Sequence, residues 1–242
     1  MIKENIVTIR QRIIKVCSKI NQDPSKITIV AVSKGSIIEQ IKEAIEAGIT
    51  DIGENRVQET LLKYNQLFGS RFSVLGSRRT PNTEHRTPIK WHMVGHLQTN
   101  KVKDAVRIFD LIQSVDSMRL AEEIDKQANK INKIQDILIE IKTSPEEAKF
   151  GLKADEAIEV IIEIAKFRNI NIKGLMTIAP VLGNPEEARP YFRMLKGLRD
   201  KINESRVMSH ELGILSMGMT DDFEIAIEEG ANMVRIGRAI FE

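Results

Sequence analysis

The chain alternates short β-branched runs with amphipathic segments from end to end, and this alternation restricts the fold more than any other feature. The first strand candidate, Ile27-Thr-Ile-Val-Ala-Val32, is apolar on both faces, as a strand covered on both sides must be. Further strand-like runs follow at 49–52, 91–94, 108–115, 136–141, 172–178, 210–215 and 233–236. Helically spaced segments separate them: 37–47 with Gly48 as a fitting stop, then from about Arg56, from about Thr99, 117–128, 154–167, 185–203 and 221–229. A leading helix over 4–20 carries Ile6, Ile9, Ile13, Ile14, Val16 and Ile20 on its apolar side. Strands alternating with helices imply parallel βαβ units, and eight strands close a barrel. The predicted fold class is α/β: a single (β/α)8 TIM-type barrel over 1–242 with an extra N-terminal helix. An open doubly wound sheet is the alternative. A closed barrel would place its site at the C-terminal ends of the strands.

Composition narrows the function classes. The 242 residues are 42% apolar and 29% charged, which supplies a large core on a soluble chain. With 36 basic and 34 acidic side chains the net charge is +2, which gives no global reason to expect nucleic acid or an anionic membrane as partner. Cys17 is the one cysteine, so no intramolecular disulfide forms, which fits a reducing cytosol. No apolar leader follows Met1, and no window approaches the roughly 18 apolar residues of a membrane span. A cytoplasmic monomer is expected. Residues 68–88 break the rhythm, with Arg71, Arg78, Arg79 and Arg86 against the single acid Glu84. They read as a mobile surface insertion, either a solvated loop or a basic recruitment patch.

Lys34 follows the first strand in Ala31-Val32-Ser33-Lys34-Gly35. A lysine partly desolvated at a strand's C-terminal end holds more free amine, the form that attacks carbonyls. An ordinary surface lysine would look the same in this segment. Val234-Arg235-Ile236-Gly237-Arg238-Ala239 closes the last strand with a turn whose backbone N–H groups suit a dianion. The loop before it, Ser216-Met217-Gly218-Met219-Thr220, offers a hydroxyl and a permissive glycine, with Asp221 and Glu224 at capping-box spacing. Barrels frequently bind phosphate after strands 7 and 8, although each segment alone also reads as a plain turn. Asn55 ends the second strand as a ligand contact or a helix cap. His92 and His96 lie about 13 Å apart along a strand with no carboxylate or thiol between them, so no metal is expected. His96 is the better candidate for a loop position near the site.

Together these segments resemble the YggS/PROSC family of pyridoxal phosphate homeostasis proteins. The matching blocks are Ala31–Lys34, Ile52–Glu59, Trp91–Lys101, Ser114–Asp116, Lys149–Gly151, Gly174–Thr177, Leu215–Met219 and Val234–Phe241, in the family's order and across nearly the whole chain. The resemblance implies a barrel like the N-terminal domain of alanine racemase. It implies that Lys34 forms the Schiff base with pyridoxal 5′-phosphate (PLP). It places Ser216, Gly237 and Arg238 around the phosphate, and Asn55, Met176 and Arg235 near the ring. If the Arg235 guanidinium faces the pyridine nitrogen, that nitrogen stays unprotonated and the cofactor is a poor electron sink. Two features depart from the family pattern. Residues 68–88 are longer and more basic than the usual connection, and Arg238 stands where a small hydroxyl residue is common.

The function implied is intracellular PLP homeostasis, with transfer to PLP-dependent apoenzymes as a further expectation. No catalytic residue is assigned. A racemase would need a second acid/base group on the opposite face of the cofactor. In the racemases it comes from an additional β-domain, whereas this sequence stops shortly after the eighth strand. Tyr64 and Tyr191, the two tyrosines, fall in predicted helices. On residues alone, a Schiff-base aldolase-type barrel without PLP remains an open alternative.

Overall fold

The computed structural model describes residues 1–68, 89–144, 146 and 150–242. Eight parallel strands form the barrel wall: β1 (Thr28–Val32), β2 (Asp51–Glu54), β3 (Lys90–Met93), β4 (Leu111–Val115), β5 (Gln135–Lys142), β7 (Ile170–Met176), β8 (Ile214–Ser216) and β9 (Met233–Ile236). The order runs β4-β3-β2-β1-β9-β8-β7-β5, and β4 pairs with β5 to close the ring. That closure selects the barrel over the open sheet. A two-residue strand, β6 (Leu152–Lys153), adds to the C-terminal end of β5 outside the ring.

The helices are α1 (Ile2–Lys19), α2 (Ile38–Glu46), α3 (Val57–Phe68), α4 (Val102–Ile108), α5 (Met118–Asn129), α6 (Ala157–Ile164), α7 (Arg189–Ser205), α8 (Phe223–Glu228) and α9 (Arg238–Phe241). Gly48, at φ +86°, follows α2 in the left-handed conformation expected of a stop. Ile2, Ile6, Ile9, Ile13 and Val16 bury one stripe of α1, while Ile14 and Ile20 turn out to be exposed. None of the described helices is long and apolar enough to cross a membrane. Apart from Phe68 at the end of α3, the insertion expected at 68–88 lies outside the described residues.

Most strand boundaries differ from expectation by one or more residues, and the second, fourth and seventh barrel strands show why. The second strand runs 51–54 rather than 49–52, because Gly53 pairs in register with Val32 and is packed from inside the barrel. A Cβ on Gly53 would lie 2.9 Å from Val30 Cγ1 and 3.2 Å from Val32 Cγ2. The fourth strand begins at Leu111, since Ile108 still belongs to α4. The seventh barrel strand shrinks to Ile214–Ser216, and His210 before it lies outside the strand, its ring Nε2 donating to Ile172 O (2.8 Å).

Period-two alternation divides the strands between two cores. Ile29, Ala31, Ile52, Trp91, Ile112, Ile137, Ile139, Leu215, Val234 and Ile236 face the helices. Val30, Val94, Leu111, Leu138, Met176 and Met233 fill the barrel itself. Val32, Ile178 and Ile214 pack against them, and the polar inward positions include His92, Gln113, Glu140, Ser216 and Arg235, all buried.

Candidate functional site

Because the eight barrel strands are parallel, their C-terminal ends meet at one mouth. Lys34 stands there two residues beyond β1, exposed and followed by Gly35 at φ +77°. The partial desolvation expected of Lys34 is therefore not supplied by its protein neighbours. Ser33 turns the other way. Its hydroxyl donates to Glu54 Oε1 (2.5 Å), and Lys63 Nζ of α3 bonds both that carboxylate oxygen and Ser33 O (2.6 Å each). The buried Glu54–Lys63 pair thus anchors the backbone that presents Lys34.

Asn55 is half-buried at the end of β2. The next strand's loop comes close because Gly95 has no side chain: a Cβ there would sit 2.7 Å from Asn55 O and 2.8 Å from Asn55 Cα. His96 follows, with Nδ1 3.0 Å from Asp116 Oδ2 and its ring stacked on Phe150 at 3.7 Å between centroids. His92 points into the barrel instead, so the two histidines share no partner.

Met176 ends β7 inside the barrel and is fully buried. Arg235 reaches from β9 to the same level. It donates Nη1 to Ser216 Oγ (2.8 Å) and Nη2 to Thr177 O (2.7 Å). Burial lowers Arg235 to about 10, opposed by the charges of Glu140 and Asp222, so it remains protonated near neutral pH. Burial also pushes Glu140 up to about 7, helped by Asp116 and opposed by Arg235.

Ser216 was expected to have a hydroxyl proton to offer. Here Oγ accepts from Arg235 and donates to Gln113 Oε1 at 2.6 Å. Gly237 caps α9, and a Cβ there would lie 3.3 Å from Val32 O. Its lack of a side chain lets the end of β9 approach that of β1, so the first amides of α9 lie at the same end of the barrel as Lys34. Those amides have no partner within the helix. The Arg238 side chain is turned aside to Asp221 Oδ2 (2.5 Å), on the surface, leaving its backbone toward the turn. The expected capping box does not form: Asp221 pairs with Arg238, Glu224 with Arg12, and Asp222 Oδ1 accepts from Met219 N.

The mouth therefore gathers Lys34, Asn55, Met176, Arg235, Gly237 and the Arg238 backbone, with Ser216 just beneath. Gln113, Thr177 and Glu140 were not singled out from the sequence. Thr177 and Glu140 are each a single polar residue in an apolar run, Gln113 adjoins Ser114, and for Glu140 the shared parity with Leu138 was the available signal. Two clefts among the described residues, of about 440 and 280 Å3, open at the opposite face, beside the starts of β1, β2 and β7. They carry none of this chemistry.

Fold and site define a class: parallel barrels that present a lysine at the end of the first strand opposite a glycine-capped turn after the last. The family model for the alanine racemase N-terminal domain matches residues 2–242. A pyridoxal phosphate homeostasis protein from Aquifex aeolicus is 40% identical over 238 residues, covering 98% of this chain and 96% of the relative. PipY of Synechococcus elongatus, solved with PLP bound, superposes with a TM-score of 0.82 at 29% identity over the full length of both chains. Alanine racemase of Clostridium difficile shares the fold alone, at 15% identity and a TM-score of 0.72, covering 99% of this chain and 56% of that one. The chain belongs to the alanine racemase N-terminal-domain family and, within it, to the pyridoxal phosphate homeostasis proteins.

Proposed function

We propose that the chain binds PLP at the barrel mouth and serves intracellular PLP homeostasis, with the whole of 1–242 acting as one cofactor-binding unit. The observation that carries this is the convergence of an exposed lysine and a set of anion-ready amides at one end of the barrel. The donor set fits the group. PLP supplies, when bound, an electrophilic aldehyde carbon and a phosphate dianion. Lys34 offers the amine, and its exposed chain is held at its base by the Ser33–Glu54–Lys63 anchor. The amides at Gly237 and Arg238 would receive the phosphate. Met176 and Val32 offer apolar contact beneath the ring, Asn55 a polar edge, and Arg235 a fixed positive charge.

The same reading takes retention rather than turnover as the role of Lys34. Tyr64 packs on Trp91 at 5.9 Å, outside the barrel, and Tyr191 lies in α7. Neither stands at the mouth where a second proton-transfer group would be needed. Transfer of PLP to apoenzymes, a monomeric state and a cytoplasmic location belong to the same reading.

Equilibrium titration with PLP tests it. The protein should bind PLP saturably, and Lys34→Ala should weaken binding at least about tenfold, the loss of one strong contact. Equal binding by both proteins would move the site away from Lys34.

A further inference from the structure

Beneath the mouth, five buried side chains form one hydrogen-bonded chain across the barrel interior. Arg235 Nη1 donates to Ser216 Oγ (2.8 Å), and Ser216 Oγ donates to Gln113 Oε1 (2.6 Å). Gln113 Nε2 meets His92 Nδ1 (2.9 Å), and His92 Nε2 meets Asp51 Oδ1 (3.0 Å). The chain thus links β9, β8, β4, β3 and β2. It joins the mouth to Asp51, which lines the larger cleft at the opposite face.

Its direction is fixed from one end. A guanidinium only donates, so the one hydrogen of Ser216 must go to Gln113. That orients the Gln113 amide with oxygen toward Ser216 and nitrogen toward His92. An amide nitrogen only donates, so His92 Nδ1 accepts and the ring proton lies on Nε2, facing Asp51. Turning the amide over would set two donors against Ser216 and strand its proton in a dry interior. An unpaired buried group of this kind costs about 1–3 kcal/mol.

We infer that Gln113 and His92, backed by Asp51, are positioning residues for the cofactor site: they hold Ser216 and the Arg235 guanidinium in one hydrogen-bond polarity. This rests on the PLP reading of the mouth. Charged groups face the chain from several sides. Glu140 of β5 and Asp222 after β8 act on Arg235, and Lys90 of β3 acts on Asp51. Arg235 thereby meets a ligand as a pre-aimed donor, while the Ser216 proton is already committed beneath it.

Two measurements test the inference. In the ligand-free protein, nitrogen-15 NMR of the His92 ring should show the Nε2–H tautomer, with Nδ1 unprotonated. A proton on Nδ1 in the resting protein would overturn the polarity. In the PLP-loaded protein, Gln113→Met removes the link at similar size. It should raise the PLP dissociation constant about tenfold and shift the visible absorption band. His92→Phe should move both in the same direction. His92→Gln, whose amide can accept from Gln113 and donate to Asp51, should stay within about twofold of wild type. A merely structural role predicts lower melting temperatures with band and affinity unchanged. That result in Gln113→Met, or in His92→Phe should Gln113→Met not fold, would overturn the inference. A wild-type protein that takes up no PLP would instead refute the functional reading, and the NMR measurement still decides the polarity.

Discussion

At position 140 a carboxyl group sits in the apolar run Ile137–Ile141 of β5, and burial raises it from 4.5 to about 7. The folded protein therefore binds this proton more tightly than the unfolded chain does. Its stability contribution is fully present below about 4.5 and is lost as pH rises through about 7. The loss approaches about 3 kcal/mol. Glu140→Gln should remove that slope and raise the melting temperature at pH 8 while changing little at pH 4.5, checked by thermal unfolding across pH. Unequal legibility at this scale has a physical cause. Lys34 and Gly237 follow from strand ends and turn chemistry, which are local, and Arg235 came from the family resemblance. Gln113 and Glu140 act through partners on distant strands, which their neighbours in sequence do not show. Ser216 was read as a free donor because its sequence context cannot show Arg235 above and Gln113 beyond.

Elements were read well where periodicity is strong and poorly where a backbone approach decides. The stripe of α1 is clear in sequence, and α1 packs on α2, α8 and α9. Burial rather than charge should hold it. Ile6→Ala, at a position 1% exposed, should cost about 2–5 kcal/mol in denaturant unfolding. Arg12→Ala breaks a pair with Glu224 whose partners are 38% and 37% exposed, and should cost about 1 kcal/mol or less. The register of β2 was misplaced by two residues because Gly53 and Glu54 look like a loop. They form strand because the barrel has room for no Cβ at 53, and because α3 brings Lys63 to Glu54. Lys63→Ala leaves a fully buried carboxylate beside Ser33 without its cation. A loss of about 3–5 kcal/mol is expected, together with weaker PLP binding through the displaced Lys34 segment.

For the whole molecule, alternation predicted the closed barrel and closure predicted the mouth, so the main architecture was legible from residue pattern alone. What pattern could not supply is the polar layer within the barrel, which depends on side chains converging from five strands. In the function proposed above, the barrel presents Lys34 to a reactive aldehyde and fixes the charges beneath it. The decisive measurement is to add PLP to the purified protein, reduce with borohydride and map the modified peptide. A visible band near about 420 nm, as general PLP chemistry gives, should form and be fixed by reduction on Lys34, and should not form in Lys34→Ala. A wild type that stays colourless, or a modification that maps to another lysine, would contradict the account.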